Sequence, residues 1–238
     1  MTKTYRLYTK QWIVTEGVKK KIRRATTIFS VLLRTYPKER TMLTYENPVQ
    51  LLVAVMLSAQ CTDARVNMVT TPLFQKYITA RDFARAKQET FEKEIFSTGF
   101  YRAKTRNIIA TALILESKFE GNVPRTMGEL LTLPGVARKT ANVVLSNAYH
   151  ISEGIAVDTH VARTAQRLGL TNSSDPKKIE RDLMALFPKK HWASISYYLI
   201  RLGRTVCAAR APRCEICPLK AYCPSVRTTQ RTKVPRAE

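Results

Sequence analysis

Acidic residues are scarce in this chain. There are 18 in 238 residues, against 40 lysines and arginines, so the formal net charge at pH 7 is +22. Solubility needs far less than that. A surface this basic points first to nucleic acid, with an anionic membrane surface as the alternative polyanion. No uninterrupted run of about 18 or more apolar residues occurs, which excludes a membrane-spanning helix. The start of the chain lacks a charged cap followed by an apolar run, so no secretory signal is expected. Lys19, Lys20, Lys21, Arg23 and Arg24 crowd the N-terminal region without the serine bias of a transit peptide. The expected location is the cytoplasm or nucleoid of a prokaryote, or the nucleus or mitochondrion of a eukaryote. There is also no sustained period-two alternation of apolar residues and no internal repeat, which argues against sheets and solenoids.

What is present reads as an all-α chain. Hydrophobic residues make up 45% of it, enough for the cores of one or two domains. Residues 1–24 look like a basic, poorly packed arm. Residues 25–36 suit a helix with Ile28, Leu32 and Leu33 on one face, and Thr41 to Pro48 suits a loop. The run Val49 to Ala59 is strongly apolar and too short for a bilayer, so it is expected as a core helix. Ala103 to Phe119 is amphipathic, with Ile108, Ile109, Ala112, Leu113 and Phe119 as core candidates, and Gly121-Asn122-Val123-Pro124 stops it. Thr126 and Glu129 have the spacing of a capping box. Asp175-Pro176 offers an N-cap followed by proline at the first helical position. A last long helix is expected from about His191 to Val206.

The most informative stretch is Leu133-Pro134-Gly135-Val136-Ala137-Arg138-Lys139-Thr140-Ala141. Pro134 ends one helix and Gly135 permits a tight reversal. The next helix then begins with free backbone N–H groups, which together with its dipole favour an anion such as a DNA phosphate. A contact of that kind reads backbone, not sequence. Lys139 falls in the first turn of that helix. It suits a phosphate contact, or, as a neutral amine, a nucleophile that attacks a sugar C1′ and forms a Schiff base. Asp158, in Val157-Asp158-Thr159-His160, is a good N-cap for a helix running to Leu168 and closing at Gly169. Downstream, Cys207, Cys214, Cys217 and Cys223 have the spacing C-x6-C-x2-C-x5-C. Four cysteines so close together suit a cluster needing four thiolates. Zinc is the rival, although four-cysteine zinc sites usually show two C-x2-C pairs. Two disulfides fit less well still in a chain with no export signal. Cys61 stands outside the pattern and reads as a small buried residue.

These motifs resemble the endonuclease III family of helix-hairpin-helix DNA glycosylases, over nearly the whole chain from about Ala25 to Cys223. The hairpin matches the family run L-P-G-V-G-R-K-T-A-N-V-V, with Ala137 in place of the second glycine. Leu57-Ser58-Ala59-Gln60-Cys61-Thr62-Asp63 resembles L-S-A-Q-x-T-D, and Val157-Asp158-Thr159-His160 resembles the family's catalytic aspartate motif. The cysteine spacing matches the family's 4Fe–4S loop.

The resemblance implies an enzyme of base-excision repair. It would remove damaged pyrimidines, chiefly oxidised ones, from duplex DNA and cleave the abasic site by β-elimination. Lys139 would be the nucleophile, and Asp158 would support base departure. Leu133, Gly135, Val136, Ala137 and Arg138 would contact the DNA backbone. Gln60 would be a wedge in the duplex, with Phe100 a second one where the family has leucine. Ser58, Asp63 and His160 would line the base pocket. The four cysteines would hold a 4Fe–4S cluster that displays Arg210, Arg213 and Lys220 to phosphates. The partner would be double-stranded DNA with a damaged base or abasic site, bound by a monomer with no membrane attachment. The implied fold is two-lobed. A six-helix lobe over 42–153 would carry the hairpin (about 126–149), and a discontinuous lobe from 25–41 and 154–238 would carry the cluster loop (207–223). DNA would lie across the cleft, with Lys139 and Asp158 facing each other. The loop around Ser152 to Gly154 is one residue longer than in close relatives.

Other functions stay in view. A monofunctional glycosylase for mismatched bases generally replaces this lysine, while one for alkylated purines can retain it. A non-catalytic hairpin module would need neither Lys139 nor Asp158. An iron–sulfur redox sensor would not need the hairpin.

Overall fold

The computed structural model describes residues 10–36 and 41–226. Among the described residues there is no strand, and no helix is long and apolar enough to cross a membrane. The chain divides into two compact units, Met1–Glu39 with Val157–Glu238, and Arg40–Ala156.

Helix α1 (Val18–Thr35) begins well before the expected residue 25. Ile28 and Leu32 are buried, but Leu33 is turned out to solvent. Of the expected poorly packed arm, residues 10–23 are exposed or half-buried, and the exception is Arg24. Arg24 is buried, and its guanidinium grips both carboxylate oxygens of Glu16 at 2.7 Å and the Leu168 carbonyl at 2.6 Å. The basic run hid this inward face, because the residue that packs is itself an arginine neutralised by a nearby acid. Residues 1–9 of the expected arm lie outside the described residues.

The unit Arg40–Ala156 is built around α2 (Pro48–Leu57). Asn47 caps it by accepting from the Gln50 N–H at 3.0 Å, and Pro48 stands at its first position. Every residue from Val49 to Leu57 is buried. A helix apolar on all sides belongs at the centre of a core. Around it come α3 (Asp63–Lys76), α4 (Ala80–Ala84), α5 (Gln88–Ile95), α6 (Tyr101–Phe119), α7 (Met127–Leu130) and α8 (Arg138–Ala148). Thr62 caps α3, and Thr79 with Asp82 forms a full capping box on α4. The inward stripe of α6 is Lys104, Ile108, Thr111, Ala112 and Leu115. Leu113, expected in the core, is exposed.

In the other unit, α9 (Thr159–Arg167), α10 (Pro176–Leu186) and α11 (Trp192–Thr205) join α1. Asp175 caps α10 through the Lys178 N–H at 2.9 Å, with Pro176 next to it, as the sequence predicts. Gly203 of α11 lets α9 approach closely, since a Cβ there would stand 3.0 Å from Arg163 Nη2 and 3.1 Å from His160 Nδ1.

Candidate active site

The hairpin is held from below by α6. Thr111 Oγ1 donates to the Pro134 carbonyl at 2.9 Å. Gly135 has φ +74, and a Cβ on it would fall 2.8 Å from Asn107 Nδ2. The turn therefore demands glycine twice over, by backbone conformation and by space. Gly135→Ala is expected to lower the unfolding free energy by about 1–2 kcal/mol, read as a lower urea midpoint. An unchanged midpoint would mean that the turn relaxes freely. Ala137 has φ −90 and ψ 168, ordinary extended backbone for an N-cap, so alanine is no burden where the family has glycine. Leu133 and Val136 are buried, and the Val136 N–H closes the turn onto the Leu133 carbonyl at 3.1 Å. Their side chains hold the hairpin to the core, and the surface the turn leaves accessible is backbone together with Arg138 and Lys139. Lys139 is exposed at the second position of α8.

On the same unit, the turns after α2 and before α6 carry the base-side candidates. Gln60 and Phe100 are both exposed, and both have left-handed backbone, φ 53 and φ 50. Such conformations are uncommon outside glycine and concentrate where a turn presents a side chain. Gln60, Phe100, Lys104, Asn107 and Gly135 line one cavity of about 140 Å³. Hence the two wedge candidates and the hairpin turn belong to one surface feature. Ser58 is half-buried and its hydroxyl donates back to the Val55 carbonyl at 2.8 Å, so it can meet a base only as an acceptor. Asp63 is half-buried at the start of α3. Cys61 is half-buried rather than fully enclosed.

On the other unit, Asp158 is the N-cap of α9 and accepts from the Val161 N–H at 2.8 Å. His160, two residues on, has Nδ1 at 3.0 Å from Arg163 Nη2. A guanidinium only donates, so Nδ1 is the acceptor. Burial holds the His160 imidazole below its usual range, against the pull of Asp158. Arg163 also donates to the carbonyls of Gly203 and Cys207, at 2.9 and 3.1 Å. Arg167 reaches the carbonyls of Ala208 and Ala209, each at 2.7 Å, and the Cys207 sulfur at 3.3 Å. Two arginines on the helix capped by Asp158 thus hold the first residues of the cysteine loop.

Cys207, Cys214, Cys217 and Cys223 line a single cavity, walled in part by Leu168, Leu202 and Val206. Burial pushes the thiols of Cys217 and Cys223 up to about 11 and about 12. Among the described residues no three His, Cys, Asp or Glu side chains converge on one point as ligands of a single ion. Arg210 and Arg213 are exposed, and Arg213 is tied back to the Thr205 carbonyl. Lys104, Asn107, Arg163 and Arg167 were not anticipated as site residues. Three of them are charged side chains at helical spacing from another inward residue: Lys104 four residues before Ile108, and Arg163 four before Arg167.

Residues 53–189 match the model of the HhH-GPD superfamily of base excision DNA repair proteins. An endonuclease III of a Synechocystis species is 52% identical over 88% of this chain and 95% of its own length. A non-covalent endonuclease III–DNA complex superposes with a TM-score of 0.82 at 42% identity, covering 86% of this chain and 95% of that one. A trapped covalent endonuclease III–DNA intermediate superposes with a TM-score of 0.81, also at 42% identity, covering 88% and 97%. With a helix-capping aspartate, a lysine after a glycine hairpin and a four-cysteine cavity in a chain matched over 88% of its length, this protein belongs to the endonuclease III family.

Proposed function

We propose that this protein excises damaged pyrimidines, chiefly oxidised ones, from duplex DNA and then breaks the strand at the abasic site. The observation that carries this is Lys139, exposed in the first turn of α8 directly after the Gly135 hairpin. Its amine, in neutral form, attacks C1′ of the extruded nucleotide. The C1′–N bond breaks, and the base leaves with the bonding electrons and gains a proton. Opening of the sugar ring gives a Schiff base on Lys139. Loss of a C2′ proton then expels the 3′ phosphate. Asp158 supplies negative charge to offset the positive charge that grows on the sugar as the base departs. Gln60 and Phe100 occupy the gap left by the extruded nucleotide, and Ser58, Asp63 and His160 are the residues we assign to contact the base. Gly135, Ala137 and Arg138 hold the phosphate backbone, with Leu133 and Val136 supporting them from the core.

Family membership implies an iron–sulfur cofactor. Cys207, Cys214, Cys217 and Cys223 are the residues we assign to hold a 4Fe–4S cluster. Support comes from the donor set, four thiols with no imidazole and no carboxylate around one cavity. A cluster takes one thiolate per iron, so its ligands stand apart rather than converge on a point. When bound, the cluster supplies a cross-link, fixing a polar loop and the direction of Arg210, Arg213 and Lys220.

Borohydride trapping tests the function. The protein, mixed with a duplex holding one oxidised pyrimidine and reductant, is expected to give a covalent adduct on a denaturing gel. If neither that duplex nor one with a preformed abasic site is trapped, the lysine mechanism is rejected in favour of a monofunctional enzyme.

A further inference from the structure

Lys104 has no part in the steps above, yet its position is unusual. It is 7% exposed, and its Nζ donates to the Leu57 carbonyl at 2.7 Å and the Thr98 carbonyl at 2.8 Å. Among the described residues no carboxylate pairs with it, and the titratable side chain that acts on it is the Cys61 thiol. It also lies in the first turn of α6, where the helix dipole disfavours a cation. Burial lowers its pKa accordingly. A leucine or methionine would fill this place on the apolar stripe without those penalties.

The two carbonyls explain the lysine. Leu57 ends α2, three residues before Gln60, and Thr98 stands two residues before Phe100. Each wedge candidate is therefore exposed, in left-handed backbone, and one short step from a carbonyl held by the same ammonium. All three side chains line the same cavity. A single group with several donors can set the spacing of two turns that are far apart in sequence, which an apolar side chain cannot do.

We propose that Lys104 is a positioning residue that locks the Gln60 and Phe100 turns into one insertion device, so that base extrusion depends on it while lysine-mediated strand breakage does not. The proposal rests on the assignment of Gln60 and Phe100 as the residues that enter the duplex.

The test compares two substrates under single-turnover conditions. One is a duplex with a thymine glycol opposite 2-aminopurine. The other is a single-stranded oligonucleotide with a preformed abasic site, where no base needs extruding and none stands opposite. Lys104→Met is expected to slow base release by about 100-fold, while abasic-site cleavage stays within about twofold. The 2-aminopurine fluorescence rise on binding should be lost. Equal losses on both substrates, or none, would overturn the proposal. Should Lys104→Met lack a cooperative melt, Lys104→Arg serves instead. It keeps the charge but spreads it over a planar fork, and the same split is expected at about 10-fold. Wild-type protein inactive on both substrates would sink the proposed function itself, whereas an active wild type with an unsplit variant sinks only the role of Lys104.

Discussion

Lys139→Gln removes strand cleavage at abasic sites and covalent capture by borohydride, with a rate loss on the order of 10⁴-fold or more, since no other group replaces a missing nucleophile. The fold is not at stake. Lys139 is exposed in a helix, where glutamine is well tolerated, so the melting curve should move by no more than about 0.5 kcal/mol. DNA binding should persist, weakened by the loss of one charge near the phosphates. The competing role for Lys139 is a plain phosphate contact. In that case the variant would bind more weakly and show a shallower salt dependence, yet cleave at a near-normal rate once saturated with DNA. Binding and cleavage measured on one preparation separate the two roles. Retained cleavage at saturation would reject the nucleophile.

The chemistry-bearing parts were more legible in the sequence than the packing. Local rules sufficed at Asp158 and Asp175, because a capping side chain and the helix it starts lie within four residues of each other. The hairpin was legible because Gly135 answers a backbone demand that no other residue meets cheaply. Failures came where tertiary partners decided. Leu33 and Leu113 fit an apolar pattern by type but point outward. Arg24, Arg163 and Arg167 are inside because carbonyls and one carboxylate from distant segments receive them. The helices between Asp63 and Ile95 have weak apolar periodicity and were not anticipated, although the Thr79–Asp82 capping box marks one start. The left-handed backbone of Gln60 and Phe100 had no sequence signal, since neither residue type favours it. It reflects the turns that surround them, which the Lys104 ammonium holds from the core.

Asp158 has two duties, and substitution can divide them. As N-cap it needs a side-chain oxygen 2.8 Å from the Val161 N–H. As a partner of the departing base it needs negative charge. Asparagine keeps the first and discards the second, for it caps helices about as well as aspartate. Asp158→Asn is therefore expected to unfold at the same denaturant concentration as wild type while base excision falls by about 100- to 1,000-fold, the usual scale for removing one preorganised electrostatic partner. Asp158→Ala loses both duties. Its catalytic loss should be similar, with a further stability loss of about 1 kcal/mol from the missing cap. Cleavage of a preformed abasic site should suffer less than base excision in both variants, because the base has already left. If Asp158→Asn excised bases at the wild-type rate, the carboxylate would be a helix cap and nothing more. The chemistry on this unit would then have to come from His160, whose Nδ1 already accepts from Arg163 and whose imidazole burial holds below its usual range.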